Sequence, residues 1–75
     1  MLKNDPLLAS LGQRVRQQRE KKQLTQEKLA EFSCLDPTYI SGIERGLRNP
    51  GFRNVAKIAK ALGIKTSQLC EGVDL

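Results

Sequence analysis

The stretch that decides the fold is residues 25–46, TQEKLAEFSCLDPTYISGIERG. Its apolar residues recur at the spacing of two short helices joined by a tight turn. The set predicted to be buried is Leu29, Ala30, Leu35, Ile40 and Ile43. We place Ala30 where the two helices cross, because a small residue lets their backbones approach. The pattern predicts a helix-turn-helix at 25–46, although this apolar spacing also fits an ordinary helical hairpin.

The second helix of the pair carries small and hydrogen-bonding side chains on the face opposite its apolar residues. This face consists of Pro37, Thr38, Ser41 and Gly42. Such a face suits insertion into a DNA major groove, where a threonine offers its methyl group to thymine and its hydroxyl to a base edge. The absent side chain of Gly42 would bring the helix close to the groove floor. We therefore predict that these four residues read bases.

Capping residues mark where the first three helices begin. Asp5, followed by a proline, precedes a predicted helix over 7–22, and Thr25 caps a second helix that ends near Ser33. Asp36 caps the third helix, with Pro37 at its permitted first position. Gly46 ends the third helix.

Two further helices follow a break at residues 47–51. A helix over 52–62 has an apolar face that consists of Phe52, Val55, Ile58, Ala59 and Leu62. Thr66 can cap a short last helix that ends near Cys70. Because no strand pattern competes, the chain of 75 residues is predicted to be a single all-α domain, a compact five-helix bundle over 1–75.

The net charge is +5, and most of the basic side chains lie before or after the predicted base-reading helix, the second helix of the pair, instead of on it. Residues 1–24 carry six basic and two acidic side chains, residues 25–50 three and four, and residues 51–75 four and two. This distribution is expected where phosphate contacts position a domain and uncharged side chains read bases. Alone, the charge also fits a small protein that is merely kept soluble.

Several other classes are disfavoured by composition. The two cysteines, Cys34 and Cys70, lie outside metal-ligand spacing, and with no histidine we expect neither a metal site nor a cofactor. The chain also has no histidine, the residue most often used for general acid–base catalysis, so we do not expect an enzyme. The first residues lack the layout of a signal peptide and no apolar run spans a bilayer, which predicts a cytoplasmic protein without a membrane partner.

Four runs carry a family resemblance: LTQEKLA at 24–30, YISGIERG at 39–46, RNP at 48–50 and KIAKALG at 57–63. With them the chain resembles the XRE (Cro/C1-type) transcriptional regulators over nearly its whole length. The resemblance implies a lambda-repressor-like helix-turn-helix fold and sequence-specific DNA binding. Within the family, LD followed by TYISG looks most like the controller proteins of restriction–modification systems, and similar runs occur in phage and plasmid repressors.

The resemblance implies roles for further residues. Gln26 stands where the family binds a backbone phosphate and braces the first reading residue. Arg19 and Glu44 match a structural ion pair that ties the first helix to the third. Residues at the edge of the reading face are expected to contact phosphates or the groove edge: Tyr39, Arg45, Arg48, Asn49 and Arg53. The last three surround the start of the fourth helix, whose free N–H groups attract phosphate.

Three positions depart from the family pattern. Cys34 and Gln23 occupy turn positions where glycine is common, which implies either strain or a different turn geometry. Pro37 stands where controller proteins often have arginine, a natural reader of guanine. Since a proline side chain offers no hydrogen bond, readout at this position would be apolar or shape-based.

The first functional hypothesis is a homodimer on an inverted-repeat DNA operator, since one small domain offers few base contacts. Its dimer contact is expected from residues 64–75, through Ile64, Leu69, Val73 and Leu75. RNA polymerase would be a further partner of an activator. The alternative is a protein-interaction module, such as an antitoxin or bridging coactivator. RNA binding is disfavoured because Phe32 and Phe52 are at core-type positions.

Overall fold

The computed structural model describes residues 5–75, and within them the chain forms five α-helices and no strand. The helices are α1 (Pro6–Lys21), α2 (Gln26–Ser33), α3 (Pro37–Glu44), α4 (Gly51–Ala61) and α5 (Thr66–Leu69). The predicted all-α, five-helix class is confirmed. Among these helices none is long and apolar enough to cross a membrane. Residues 1–4, which belong to the segment expected not to be a signal peptide, lie outside the described residues.

The three predicted N-caps are present. Asp5 accepts hydrogen bonds from the backbone N–H groups of Leu7 and Leu8 at 3.0 and 3.3 Å. The Thr25 hydroxyl accepts from the N–H of Lys28 at 3.0 Å, and Asp36 accepts from that of Thr38 at 2.7 Å. These bonds satisfy N–H groups that have no partner within their own helix, and they fix where α1, α2 and α3 begin.

The cap predicted for the last helix is displaced by one residue. Thr66 is the first residue of α5, and Lys65 occupies the N-cap position. The side chain of Gln68 reaches back and accepts the backbone N–H of Lys65 at 2.8 Å. This N3-to-N-cap bond takes the place of a hydroxyl cap from Thr66.

The apolar faces of the five helices meet in one core. Helix α3 packs against α1 and α2, α4 packs against α2 and α5, and α5 returns to α1. The largest fully buried side chains are Leu29, Ile40, Ile43, Ile58, Leu69 and Val15. Each stabilises the fold by roughly 1.5–3 kcal/mol relative to leaving it exposed. Leu69 is 0% exposed, so its predicted place in a dimer contact is wrong.

Helices α1 and α3 approach each other closely at Gly12. A Cβ atom added to Gly12 would lie 2.6 Å from the carbonyl oxygen of Glu44 and closer still to that of Ile43. Only glycine permits this approach, because the atoms it would meet belong to the backbone. Ala30, predicted to be the small residue where α2 and α3 cross, is buried in the core, and Gly12 makes its close approach at another crossing, that of α1 and α3.

Both phenylalanines were predicted at core positions, and both predictions are wrong. Phe52 is 78% exposed and Phe32 is 54% exposed. At the start of α4, Asn54 donates to the hydroxyl of Tyr39 in α3 at 3.1 Å, and Phe52 faces solvent. In α2 the buried position next to Leu29 is taken by Ser33, whose hydroxyl donates to the Leu29 carbonyl at 2.6 Å.

Cys34 ends α2 in a left-handed conformation, with φ 59° and ψ 40°. The N–H of the next residue, Leu35, donates to the carbonyl of Ala30 at 2.9 Å, as in a Schellman motif. The turn therefore keeps the geometry that glycine normally supplies. Of the two alternatives raised by the sequence, strain is the one realised, and Gln23 with φ 59° repeats it after α1.

Replacing Cys34 by glycine is expected to raise the free energy of unfolding by about 1 kcal/mol, because glycine adopts the left-handed conformation without a Cβ penalty. For a domain of this size, the melting temperature should rise by roughly 4–8 °C. Thermal unfolding followed by circular dichroism measures the change. Cys34→Ala is the matched control, since it removes the thiol but keeps the strained Cβ. Equal melting temperatures for the two variants would contradict the prediction.

Candidate nucleic-acid interface

The solvent-facing side of α3 carries three of the four predicted base-reading residues. Pro37 and Thr38 are exposed and Ser41 is half-buried, while Ile40 on the opposite side is 0% exposed. The Asp36 cap places these residues at the free N-terminal half of the helix. They form one continuous polar and small face, which we call the reading face: Pro37, Thr38 and Ser41.

Gly42, the fourth predicted base reader, does not belong to the reading face. It is buried, and a Cβ atom on it would lie 2.7 Å from Cγ of Arg48. The space left by the missing side chain is thus filled by the aliphatic stem of Arg48. The expectation that Gly42 approaches the groove floor is wrong in this structure, because Arg48 covers the residue.

Arg48 is held from a second side by Tyr39. The guanidinium carbon of Arg48 lies 5.8 Å from the centroid of the Tyr39 ring, within cation–π range. The Tyr39 hydroxyl donates to the carbonyl of Pro50 at 3.4 Å and accepts from the Asn54 side-chain amide at 3.1 Å. Tyr39 therefore fixes the loop between α3 and α4, and the exposed Arg48 side chain projects from that fixed loop.

Other predicted phosphate-contacting residues border the same loop. Asn49 is exposed, and its side-chain oxygen accepts the backbone N–H of Gly51 at 3.2 Å, at the start of α4. Arg53 is exposed in the first turn of α4. Arg45 is exposed at the end of α3, where its Nε donates to the Ser41 carbonyl at 3.4 Å. The structure thus gathers three arginines, at positions 45, 48 and 53, around the end of α3 and the start of α4.

Behind the reading face, Glu44 organises a buried polar cluster. Arg19 forms a bidentate ion pair with it, from Nε to Oε2 at 2.6 Å and from Nη2 to Oε1 at 3.1 Å. Arg19 also donates to the carbonyl of Leu24 at 2.8 Å, and Gln26 Nε2 donates to Glu44 Oε1 at 3.0 Å. The side chains of Arg19 and Glu44 are only 12% and 3% exposed. One carboxylate thus ties α3 to both α1 and the start of α2.

The hydrogen bond from Glu44 raises the pKa of the Arg19 guanidinium above its ordinary value, against a smaller opposing effect of burial. A raised pKa means that the stabilisation is complete below the unfolded-state pKa of arginine and is lost only at strongly alkaline pH. Arg19 therefore adds no pH dependence to stability near neutrality. The side-chain amide of Gln26 donates to Glu44, so the same carboxylate also orients Gln26.

Arg14 is a scaffold residue that sequence reasoning missed. Its guanidinium donates to the carbonyls of Leu69 at 3.1 Å and Gln68 at 2.6 Å. A cation near the last carbonyls of α5 satisfies acceptors that the short helix leaves open. Nothing in the local pattern of α1 distinguishes Arg14 from a solvated arginine, so only the tertiary structure reveals this contact.

Comparison with known proteins identifies the family. A family model described as helix-turn-helix matches residues 15–69, and the chain belongs to this helix-turn-helix family of regulators. Among characterised relatives, it is similar to control protein C.BamHI of Bacillus amyloliquefaciens, with 53% identity over 62 residues, 80% of this chain and 75% of that protein.

Solved structures agree with this assignment. The restriction–modification controller protein C.AhdI from Aeromonas hydrophila superposes with a TM-score of 0.81 at 47% identity, covering 83% of this chain and 94% of that one. The controller protein C.Esp1396I, crystallised as a tetramer with its natural 35-base-pair operator, gives 0.84 at 38% identity, covering 92% and 91%. The resemblance to XRE-type regulators, and to controller proteins among them, is confirmed. These relatives support the DNA-binding hypothesis over the protein-interaction module.

Proposed function

We propose that this protein binds an inverted-repeat DNA operator as a homodimer and regulates transcription in the manner of restriction–modification controller proteins. The observation that carries the proposal is the uncharged, solvent-facing side of α3 next to three exposed arginines. Such a surface separates the two tasks of a DNA-binding protein. The arginines bind phosphates and set the position, and the reading face contacts base edges. The expected location, the cytoplasm, follows from this function.

Base readout then depends on few groups. Thr38 supplies a hydroxyl and a methyl group, and Ser41 supplies a hydroxyl. Pro37 contributes apolar contact or shape selection only. Gln26, Tyr39, Arg45, Asn49 and Arg53 are assigned to the backbone or groove edge. Arg48 combines a fixed stem with a free charged end, so we place it at the groove edge next to the reading face.

Dimerisation follows from the size of the domain. Its extents are 33 × 24 × 21 Å, and half-sites one helical turn apart are separated by roughly 34 Å between centres. Two copies on successive turns are therefore neighbours. Of the residues proposed for the contact, Leu75 is fully exposed, whereas Ile64 and Val73 are half-buried against the core. A deletion of residues 64–75 would not test this contact cleanly, because it would remove the buried Leu69 from the core together with the proposed dimer residues.

The proposal is tested by selecting random duplex DNA with the purified protein and measuring affinity for the enriched sequence across a salt series. We expect an inverted repeat whose half-site centres lie about 10 base pairs apart, and binding that weakens as salt rises. Salt-dependent binding without an enriched motif would contradict sequence-specific regulation. No binding at all would favour the protein-interaction module.

The variant Gly42→Ala is expected to displace the Arg48 side chain without destabilising the fold. A Cβ at this position displaces the Arg48 stem, which is a flexible side chain, while alanine improves helix propensity by about 1 kcal/mol. We expect unfolding free energy to change by less than about 1 kcal/mol, and operator affinity to fall roughly tenfold, the equivalent of one lost phosphate or groove contact. Fluorescence anisotropy with labelled operator DNA measures the loss.

Arg48→Ala provides the matched comparison for Gly42→Ala. If alanine at position 42 acts by displacing Arg48, the double variant should bind no more weakly than Arg48→Ala alone. Additive losses in the double variant would show that Gly42 acts independently of Arg48.

RNA polymerase is a further proposed partner, which activation of transcription would require. Glu27 and Glu31 are both exposed on α2, and Glu31 is paired with Lys28 at 3.4 Å. Glu27→Ala should then leave operator affinity unchanged while it lowers transcription from an operator-bearing promoter in a purified system. Unchanged transcription would remove Glu27 from this role.

A further inference from the structure

An open groove of about 410 Å³ lies between the end of α2 and the last turns of α4, two helices that pack against each other. We call it the α2–α4 groove. It is lined by Phe32, Ser33, Cys34, Lys57, Lys60 and Ala61. A groove between two packed helices is a common site for an amphipathic helix of another protein.

The interior of the α2–α4 groove is suited to an apolar side chain. Phe32 is 54% exposed, and Nζ of Lys28 lies 5.9 Å from the centroid of its ring. Ser33 is buried, and its hydroxyl already donates to the carbonyl of Leu29 at 2.6 Å. The hydroxyl therefore needs no partner from an occupant. Exposed aromatic side chains are enriched at protein–protein interfaces, and Phe32 offers such a contact.

The rim of the α2–α4 groove is positively charged. Lys57 and Lys60 are exposed, and neither takes part in an ion pair within residues 5–75. Helix α4 contains no acidic residue, and none lines the groove. The two lysines are three positions apart, a rise of about 4.5 Å along the helix. Two carboxylates one helical turn apart on an occupant match this spacing.

Duplex DNA is the competing occupant, because Lys57 follows the proposed phosphate contact Arg53 by four positions and lies on the same side of α4. Contacts to phosphates would use the lysines and leave Phe32 without a role. An acidic protein segment with a bulky apolar side chain uses both the lysines and Phe32. The combination of charge and exposed apolar surface therefore favours a protein.

We propose that the α2–α4 groove docks an acidic amphipathic helix of a partner protein. An apolar side chain of this helix packs against Phe32 and Ala61, and two carboxylates one turn apart face Lys57 and Lys60. This surface is additional to DNA binding, and the inference does not depend on the proposed function. Because Lys57 is close to Arg53 in α4, a partner seated here lies beside the proposed phosphate contacts.

The probe for this docking is a phage-displayed library of short random peptides, selected on the immobilised wild-type protein. We expect the enriched peptides to combine at least two acidic residues with one bulky apolar residue. Fluorescence anisotropy of a labelled enriched peptide then gives its dissociation constant. The absence of enrichment, or the enrichment of peptides without acidic residues, overturns the inference.

Variants of the α2–α4 groove test where the selected peptide binds. Lys57→Glu with Lys60→Glu should raise its dissociation constant about tenfold or more, because two attractions become repulsions. Phe32→Ser should also raise it about tenfold or more, because the apolar contact is lost. A selection repeated on the double lysine variant should enrich basic peptides instead. A peptide that binds these variants as tightly as wild type overturns the inference.

Matched variants change exposed residues that do not line the α2–α4 groove. Lys21→Glu with Lys22→Glu makes the same change in net charge, and Phe52→Ser removes a phenyl ring that is 78% exposed. Both should leave the peptide's dissociation constant within about threefold of wild type. Circular dichroism melting verifies that each variant is folded. Equal weakening by these controls would show that the peptide binds elsewhere or through net charge alone, against the proposal.

Two further measurements examine the other occupants. Two lost phosphate contacts would lower the slope of log affinity against log salt on random-sequence duplex DNA by roughly two. We expect Lys57→Gln with Lys60→Gln to leave this slope unchanged. Sedimentation velocity of Lys57→Glu with Lys60→Glu should show the self-association of wild type. A lowered slope would assign the lysines to DNA, and altered self-association would assign the groove to a second copy. Either result overturns the inference.

The peptide measurements do not involve DNA, so the docking and the proposed function can fail separately. A wild type that selects an inverted repeat but enriches no acidic peptide would refute the docking and leave the proposed function intact. Acidic peptides that require Phe32 and both lysines, in a protein that selects no DNA motif, would do the reverse.

Discussion

Glu44→Ala is expected to lower the free energy of unfolding by about 3 kcal/mol, the range for breaking one partner of a buried ion pair. Among residues 5–75, the variant leaves the Arg19 guanidinium, whose side chain is 12% exposed, with the Leu24 carbonyl as its remaining hydrogen-bond partner. It also removes the acceptor of Gln26. In a domain of this size the melting temperature should fall by roughly 12–24 °C. Thermal and urea unfolding measure the effect.

Operator affinity should fall together with the stability of the Glu44→Ala variant, because the same carboxylate orients α3 and Gln26. Glu20→Ala is the control, since its ion pair with Arg16 at 3.1 Å has side chains that are 64% and 55% exposed. Such a surface pair contributes at most about 1 kcal/mol. A Glu44→Ala protein that kept its melting temperature but lost DNA binding would contradict the structural role and make Glu44 a direct contributor to recognition.

Features that depend on neighbouring residues could be predicted from this sequence. The caps at Asp5, Thr25 and Asp36 act on backbone groups two or three positions away, so the local pattern contains both partners. For the end of α2 at Cys34 the local pattern left two geometries open, and the structure shows the left-handed one. Helical periodicity likewise located most of the core, because burial of one helix face is repeated every three or four residues.

Features that depend on which helix lies opposite could not be predicted in the same way. Phe52 has the right period for burial in α4, but it is 78% exposed, while Asn54 of the same helix bonds to Tyr39 of α3. Leu69 was predicted at a dimer contact because the last residues contain more apolar side chains than a small core needs, yet Leu69 is buried in that core, where Arg14 binds the carbonyls at the end of α5. Periodicity identifies the apolar side of a helix, and only the packing of the other helices determines whether that side is covered.

The residues of α3 also show that helical spacing alone does not reveal which side chains are covered by other parts of the chain. The spacing of Thr38, Ser41 and Gly42 correctly places them on one side of α3, opposite Ile40. It contains no information about Arg48, which lies outside the helix and covers Gly42. The shared side of these residues on α3 could thus be predicted from the sequence. The division between the exposed residues of α3 and a residue covered by an arginine required the structure.

Gly12→Ala should be the second strongly destabilising substitution, although alanine normally stabilises the interior of a helix by about 1 kcal/mol relative to glycine. The added Cβ would lie 2.6 Å from the Glu44 oxygen and 2.8 Å from its carbonyl carbon. These are backbone atoms of α3, so no rotamer change relieves the overlap and α1 must move away. Such a movement loosens the core and stretches the Arg19–Glu44 pair.

We expect a net loss of about 3 kcal/mol for Gly12→Ala, at the upper end of the cost of overpacking a core. Gly42→Ala is the matched control, because it introduces the same methyl group at a helical glycine but meets the movable stem of Arg48. The two variants should therefore separate cleanly, with Gly12→Ala losing stability and Gly42→Ala losing operator affinity. Equal stability of the two in urea unfolding would show that α1 and α3 can separate without cost, and the close crossing would then not be what holds the reading helix in place.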